Sequence, residues 1–229
     1  MIADPNVYLK DVCEELRKRW PDNRTVNIVC HGHSVPAGYF ATPVVDTLNA
    51  YPHLLLRALK LSYPTAVVNV IVTAIGGEHS SSGAARFKRD VLAMRPDVVT
   101  IDYGLNDRSI GLAQAERAWR TMIEEALDSG ARVVLLTPTW DDSFATPDRQ
   151  KEWDDLITHA RQIRALAAEY GVGLADSFAA FAEYAAHADP MKLLSWSNHP
   201  NRAGHERVAN ELMRWFACTD EAASADSSA

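Results

Sequence analysis

Val29-Cys30-His31-Gly32-His33-Ser34-Val35-Pro36-Ala37-Gly38-Tyr39 is an apolar run that stops at a serine flanked by glycines. Residues 25–30 before it are apolar and β-rich and read as a strand. A strand that ends at a small polar residue on a glycine-rich turn sets that side chain at the mouth of a sheet. Chemistry is usually done there.

Downstream, strand and helix signals alternate. Residues 66–75 (AVVNVIVTAI), 97–103, 132–137 (RVVLLT) and 172–176 read as further buried strands. Helices are expected over 7–20, over 43–61 with Pro52 marking a break or restart, and through Ala84, Phe87, Val91 and Met94, which fall at helical spacing. More are expected over 112–127, closed by Gly130, from Thr146-Pro147 to Tyr170, and over 201–216. Thr146-Pro147 has the form of a capping hydroxyl followed by proline. Continuous apolar strands joined by helices imply a parallel sheet covered on both faces. One domain over 1–216 is expected, with a polar, disordered tail over 217–229.

The 229 residues carry a net charge of −7 and no basic stripe, which argues against a nucleic-acid partner. Cys13, Cys30 and Cys218 give no disulfide framework and no metal-binding spacing. The first residues show no signal peptide, and no run is long enough to span a membrane, so a cytoplasmic setting is expected.

The strand ends carry the chemistry. They read His31-Gly32-His33-Ser34, Gly76-Gly77-Glu78-His79 and Gly104-Leu105-Asn106-Asp107, and Asn198-His199-Pro200-Asn201 precedes the last helix. Acyl transfer by serine needs a nucleophile, a base and donors for the oxyanion. Ser34 is the candidate nucleophile and His199 the candidate base, since imidazole titrates near neutrality. The N–H groups of Ser34 and Gly77 and the Asn106 amide are the candidate oxyanion donors. Asp107 is read as a support for its loop and His205 as a structural helix residue. No cofactor is expected.

These blocks, in this order, resemble those of the SGNH (GDSL-type) hydrolases, through Ser34, Gly77, Asn106 and His199 within HPNRAGH. The resemblance runs from Val26 to Phe216. It implies a flavodoxin-like three-layer α/β/α sandwich around a five-stranded parallel sheet. It also implies hydrolysis of esters, often acetyl or other short acyl groups on sugars, or lysophospholipids and thioesters. Two positions depart from the family pattern. His33 stands where an aspartate usually precedes the serine. Trp196 stands three residues before His199, where the family places the acid that orients the base.

Three readings of the missing acid follow. A backbone carbonyl near Trp196 orients His199; a carboxylate from elsewhere, Asp141, Asp142 or Asp189, reaches in; or the protein is a weak or lapsed enzyme. The first two are favoured, because the other parts remain. His33 and His79 border the proposed pocket, as substrate contacts or as solvated loop residues. Trp140 and Trp196, on strand-end loops, are read either as pocket wall or as plain packing. Two other classes compete: a metal hydrolase built on His31, His33, His79, Asp107 and His199, and a carbohydrate- or ester-binding module on a lapsed scaffold.

Overall fold

The computed structural model describes residues 1–218. The expectation for 219–229 lies outside the described residues. Five parallel strands form the central sheet in the order β2-β1-β3-β4-β5. They are β1 (Thr25–Gly32), β2 (Val67–Val72), β3 (Val98–Asp102), β4 (Arg132–Leu136) and β5 (Gly173–Ala175).

Successive side chains of a strand point to opposite faces, so an all-apolar strand feeds two cores. Ile28 and Cys30 of β1, Val98 of β3, and Val134 and Leu136 of β4 enter one core. Helices α1 (Lys10–Arg17), α3 (Tyr51–Ser62) and α8 (Arg202–Met213) cover that face with Val12, Leu16, Leu55, Leu59, Val208 and Leu212. Val29, Val99, Ile101, Val133 and Leu135 enter the other core. There α4 (Ser80–Asp90), α5 (Leu112–Asp128) and α6 (Gln150–Tyr170) supply Phe87, Trp119, Met122, Ile163 and Leu166. This is the expected three-layer sandwich.

Several local expectations change. The helix expected from residue 43 begins at Tyr51, with Pro52 in its first turn, as a restart at that proline requires. Thr146 does not cap α6; its hydroxyl donates to the Asp142 carbonyl (2.8 Å), and Pro147 opens a short 3₁₀ turn ahead of the helix. Short elements join the pattern: α2 (Ser34–Ala37), α7 (Ser177–Ala185) and an antiparallel pair, β6 (Leu194–Trp196) with β7 (His199–Pro200). Cys218 is buried and disulfide-bonded to Cys13, which corrects the expectation of no disulfide and of a tail starting at residue 217. That cross-link, of the kind that persists in oxidising surroundings, ties α1 to the chain beyond α8 across a separation of 205 residues. Among the described residues, no helix is long and apolar enough to cross a membrane.

The sheet order places β1 between β2 and β3, with the chain leaving β1 in one direction and returning on the other side. A crevice opens beyond the carboxyl ends at such a switch point. Ser34 follows β1, Gly77 follows β2 and Asn106 follows β3, so the crevice collects all three.

Candidate active site

Ser34 is the first residue of α2, where N–H groups have no partner inside the helix. The preceding His33 caps this turn: its Nδ1 accepts the Val35 N–H at 3.2 Å. The proton of a neutral ring is therefore on Nε2, which lies 3.4 Å from Asp102 Oδ1. That approach is an electrostatic contact and not a formed hydrogen bond. Gly32 leaves no room for a side chain beneath this turn, because a Cβ there would collide with the Asp102 carbonyl and the Pro36 ring.

His199 lies on β7, buried like Ser34. Its Nε2 is 2.9 Å from Ser34 Oγ, and its Nδ1 is 2.8 Å from the Phe40 carbonyl oxygen. A carbonyl only accepts, so Nδ1 carries the proton. Nε2 then presents a lone pair, and the Ser34 hydroxyl donates to it. Burial holds the His199 pKa below the ordinary imidazole value, with a smaller contribution from nearby His33; the bond to Phe40 opposes the shift.

The orienting group is thus a backbone carbonyl, as one reading expected, but from Phe40 and not from near Trp196. The loop after α2 fixes it. The Phe40 N–H donates to the Val44 carbonyl at 3.0 Å, and the Asp46 N–H to the Gly38 carbonyl at 2.8 Å. The Phe40 ring stacks on His205, with centroids 4.9 Å apart. The His205 Nδ1 accepts the Tyr51 N–H at the start of α3, so His205 is structural, as expected.

None of the three proposed carboxylates is hydrogen-bonded to His199. Asp141 is fully buried, accepts from Arg108 at 2.7 Å and caps the turn at Ser143. Asp142 is paired with Arg149. Asp189 accepts the Met191 N–H at 3.0 Å as the cap of its own turn. Each is held by a nearer partner. The Asp142 N–H does donate to the Ser197 carbonyl, at 2.7 Å, and so anchors the turn between β6 and β7.

In the segment after β2, Gly77 adopts φ +81° with open space where a Cβ would stand. An L side chain is strained in that conformation, so glycine lets the main chain face the cleft. Asn106 donates one amide hydrogen to the Glu78 carbonyl at 2.8 Å. A primary amide has two, which leaves the second for a ligand. Asp107 is buried and supports the loop: it accepts the Ser80 N–H and the Trp119 indole N–H, both at 2.7 Å. The Glu78 side chain meets the Arg86 guanidinium, which also donates to the Thr73 carbonyl at 2.7 Å. Tyr103 OH and His31 complete this buried network, and burial pushes the His31 imidazole down to about 4, leaving it neutral.

Ser34, Gly77, Asn106 and His199 line one cleft of about 390 Å³ together with Tyr39 and Trp196. His33 does not line it, and His79 caps α4 through Ser82. Trp140 also stands apart, packed on Phe144, Trp153 and Phe178 with its indole N–H on the Phe178 carbonyl. Sequence reasoning missed Phe40, Tyr39 and Thr42, which follow the serine motif directly and carry no signal in residue type. Among the described residues, no three His, Cys, Asp or Glu side chains converge to hold a metal ion.

Residues 30–207 match the GDSL-like Lipase/Acylhydrolase family. An acetylxylan esterase of Geobacillus stearothermophilus is 25% identical over 196 residues, covering 80% of this chain and 87% of that protein. Among solved structures, Axe2, an acetylxylan esterase from Geobacillus stearothermophilus, has a TM-score of 0.71 at 24% identity, over 85% of this chain and 95% of that one. LAE5, an alpha/beta hydrolase enzyme from the metagenome of Lake Arreo, Spain, gives 0.71 at 22% identity, over 86% and 97%. The structural likenesses bear on the fold. The family match covers most of the chain: this protein belongs to the GDSL-like lipase/acylhydrolase family and is a carboxylic ester hydrolase of the SGNH fold.

Proposed function

We propose that this family member hydrolyses short-acyl esters, acetyl esters of carbohydrates foremost, through an acyl-enzyme on Ser34. The observation that carries the reading is the pair of bonds on His199: 2.9 Å to Ser34 Oγ and 2.8 Å to the Phe40 carbonyl. His199 Nε2 takes the hydroxyl proton as Oγ attacks the ester carbonyl. The negative charge that develops on the carbonyl oxygen meets the N–H groups of Ser34 and Gly77 and the free Asn106 amide hydrogen. Imidazolium then gives its proton to the departing alcohol oxygen. Water enters and loses a proton to His199 as its oxygen attacks the acyl carbonyl; the acyl–Oγ bond then breaks, His199 returns the proton to Ser34 Oγ, and the carboxylic acid leaves. Residues 1–216 act as one catalytic domain in this reading.

A dyad of this kind keeps part of what a triad acid supplies. In a serine protease a neutral amide in place of the acid costs roughly four powers of ten, chiefly by favouring the wrong tautomer. The Phe40 carbonyl accepts the Nδ1 proton and so enforces the right one. What it lacks is a full negative charge to stabilise the imidazolium.

The acetyl and carbohydrate preference rests on the acetylxylan esterase relative. The test is hydrolysis of p-nitrophenyl acetate and of acetylated xylobiose by wild type and Ser34→Ala. Loss of at least about 10⁴-fold in kcat is expected on both. Equal rates in the two proteins would sink the serine mechanism. Faster turnover of long-chain than of acetyl esters would overturn the short-acyl preference.

A further inference from the structure

Trp196 stands where the resembling family keeps its acid, and in this chain the acid's contact with the base is taken by the Phe40 carbonyl. The indole takes no part in that contact. Trp196 is the cross-strand partner of His199 in the β6–β7 pair. Directly opposed residues of an antiparallel pair present their side chains on the same face. The indole accordingly lines the same cleft as the imidazole, and it is 57% exposed. The other cleft aromatic, Tyr39, lies against His199 with ring centroids 6.0 Å apart.

The chemistry fixes which half of a substrate meets Trp196. The histidine that takes the serine proton later hands it to the leaving oxygen, so the alcohol half must lie on the His199 side. The acyl oxygen lies on the other side, toward Gly77 and Asn106. A residue paired with His199 therefore faces the alcohol. The cleft, about 390 Å³, holds far more than an acetyl group, and Thr42 and Asn198 add polar groups to the lining it shares with the indole. A broad apolar ring with hydrogen-bonding groups at its edge suits a ligand with an apolar face and a polar rim. A pyranose ring has that form: C–H bonds on its face and hydroxyls around its edge.

We infer that Trp196 is the platform on which the sugar ring of the alcohol half stacks, and hence a specificity-determining residue. The inference rests on the esterase reading above. Its test compares kcat/KM for acetylated xylobiose with kcat/KM for ethyl acetate, in wild type, Trp196→Phe and Trp196→Ala. The ratio of sugar ester to ethyl ester is expected to fall about tenfold in Trp196→Ala, mainly through KM, and to be largely kept in Trp196→Phe. An unchanged ratio, or an equal loss on both esters, overturns the platform. Calorimetric titration with xylotriose, which has no ester, separates the two readings. If wild type hydrolyses neither ester, the esterase reading fails and the titration decides alone. Weaker binding by Trp196→Ala than by wild type then keeps the platform; equal or absent binding removes it.

Discussion

The two sides of the cleft are built by different means. The side of the proposed nucleophile is an outgrowth of the sheet: Ser34, Gly77 and Asn106 follow three adjacent strands, and polar contacts brace their loops from below. The base side is a two-stranded pair outside the main sheet, with one exposed indole and one borrowed carbonyl. The sheet sets position through register, which leaves little freedom. The base side places His199 by a short strand pair and orients its ring through one hydrogen bond, donated by Nδ1 to a loop of the nucleophile's own stretch of chain. The sides meet at the contact between Ser34 and His199.

That meeting point gives the largest expected effect. Ser34→Ala and His199→Ala should each lower kcat by about 10⁴-fold or more, and the double variant by no more than the worse single one. Additive losses would mean that the two residues do not act as a unit. Next comes the nucleophile side alone. Asn106→Ala should cost about 10²–10³-fold in kcat with KM little changed; a change confined to KM would show that the amide binds ground-state substrate instead.

The braces beneath are a matter of stability. Arg86→Leu strands the Glu78 carboxylate, which is largely buried, and should destabilise the fold by about 3 kcal/mol in urea unfolding. A loss below about 1 kcal/mol would show that the network is solvated and not structural. On the base side, Phe40→Ala keeps the carbonyl but removes the ring stacked on His205. We expect kcat to fall about tenfold with urea stability reduced by about 3 kcal/mol; full activity would show that the loop backbone alone fixes the carbonyl.

The smallest effect is on pH. In the proposed mechanism His199 is a base only when neutral, and burial lowers its pKa. Activity should therefore fall as pH drops through a value below the ordinary imidazole pKa of about 6.5. An inflection above 6.5 in kcat/KM would contradict the buried, carbonyl-bound geometry.

The nucleophile side was the more legible in sequence. Strands 1 to 5 are apolar runs bounded by helices, and the segments that follow the first three carry glycines, a serine and an asparagine. Those types announce close approach and hydrogen bonding. The base side was legible only at His199 itself. The sequence readings offered a backbone carbonyl near Trp196 or a carboxylate of Asp141, Asp142 or Asp189, while the atom that meets His199 Nδ1 belongs to the backbone of Phe40. Backbone carbonyls are common to every residue, and only the fold selects one. The pairing of Cys13 with Cys218 was hidden for a related reason: separation in sequence says nothing of contact in space. The strands β6 and β7 are too short to show periodicity.

The carbonyl at Phe40 cannot be deleted by any exchange of side chain. Its place depends on how many residues lie between Gly38 and Asp46, the points at which the loop closes on itself. The acid of a triad is written in one letter of the code; this orienter is written in a length. Removing or adding one residue in that loop would turn a different peptide toward His199, while point substitutions that keep the count, Phe40→Ala among them, would loosen the acceptor without replacing it.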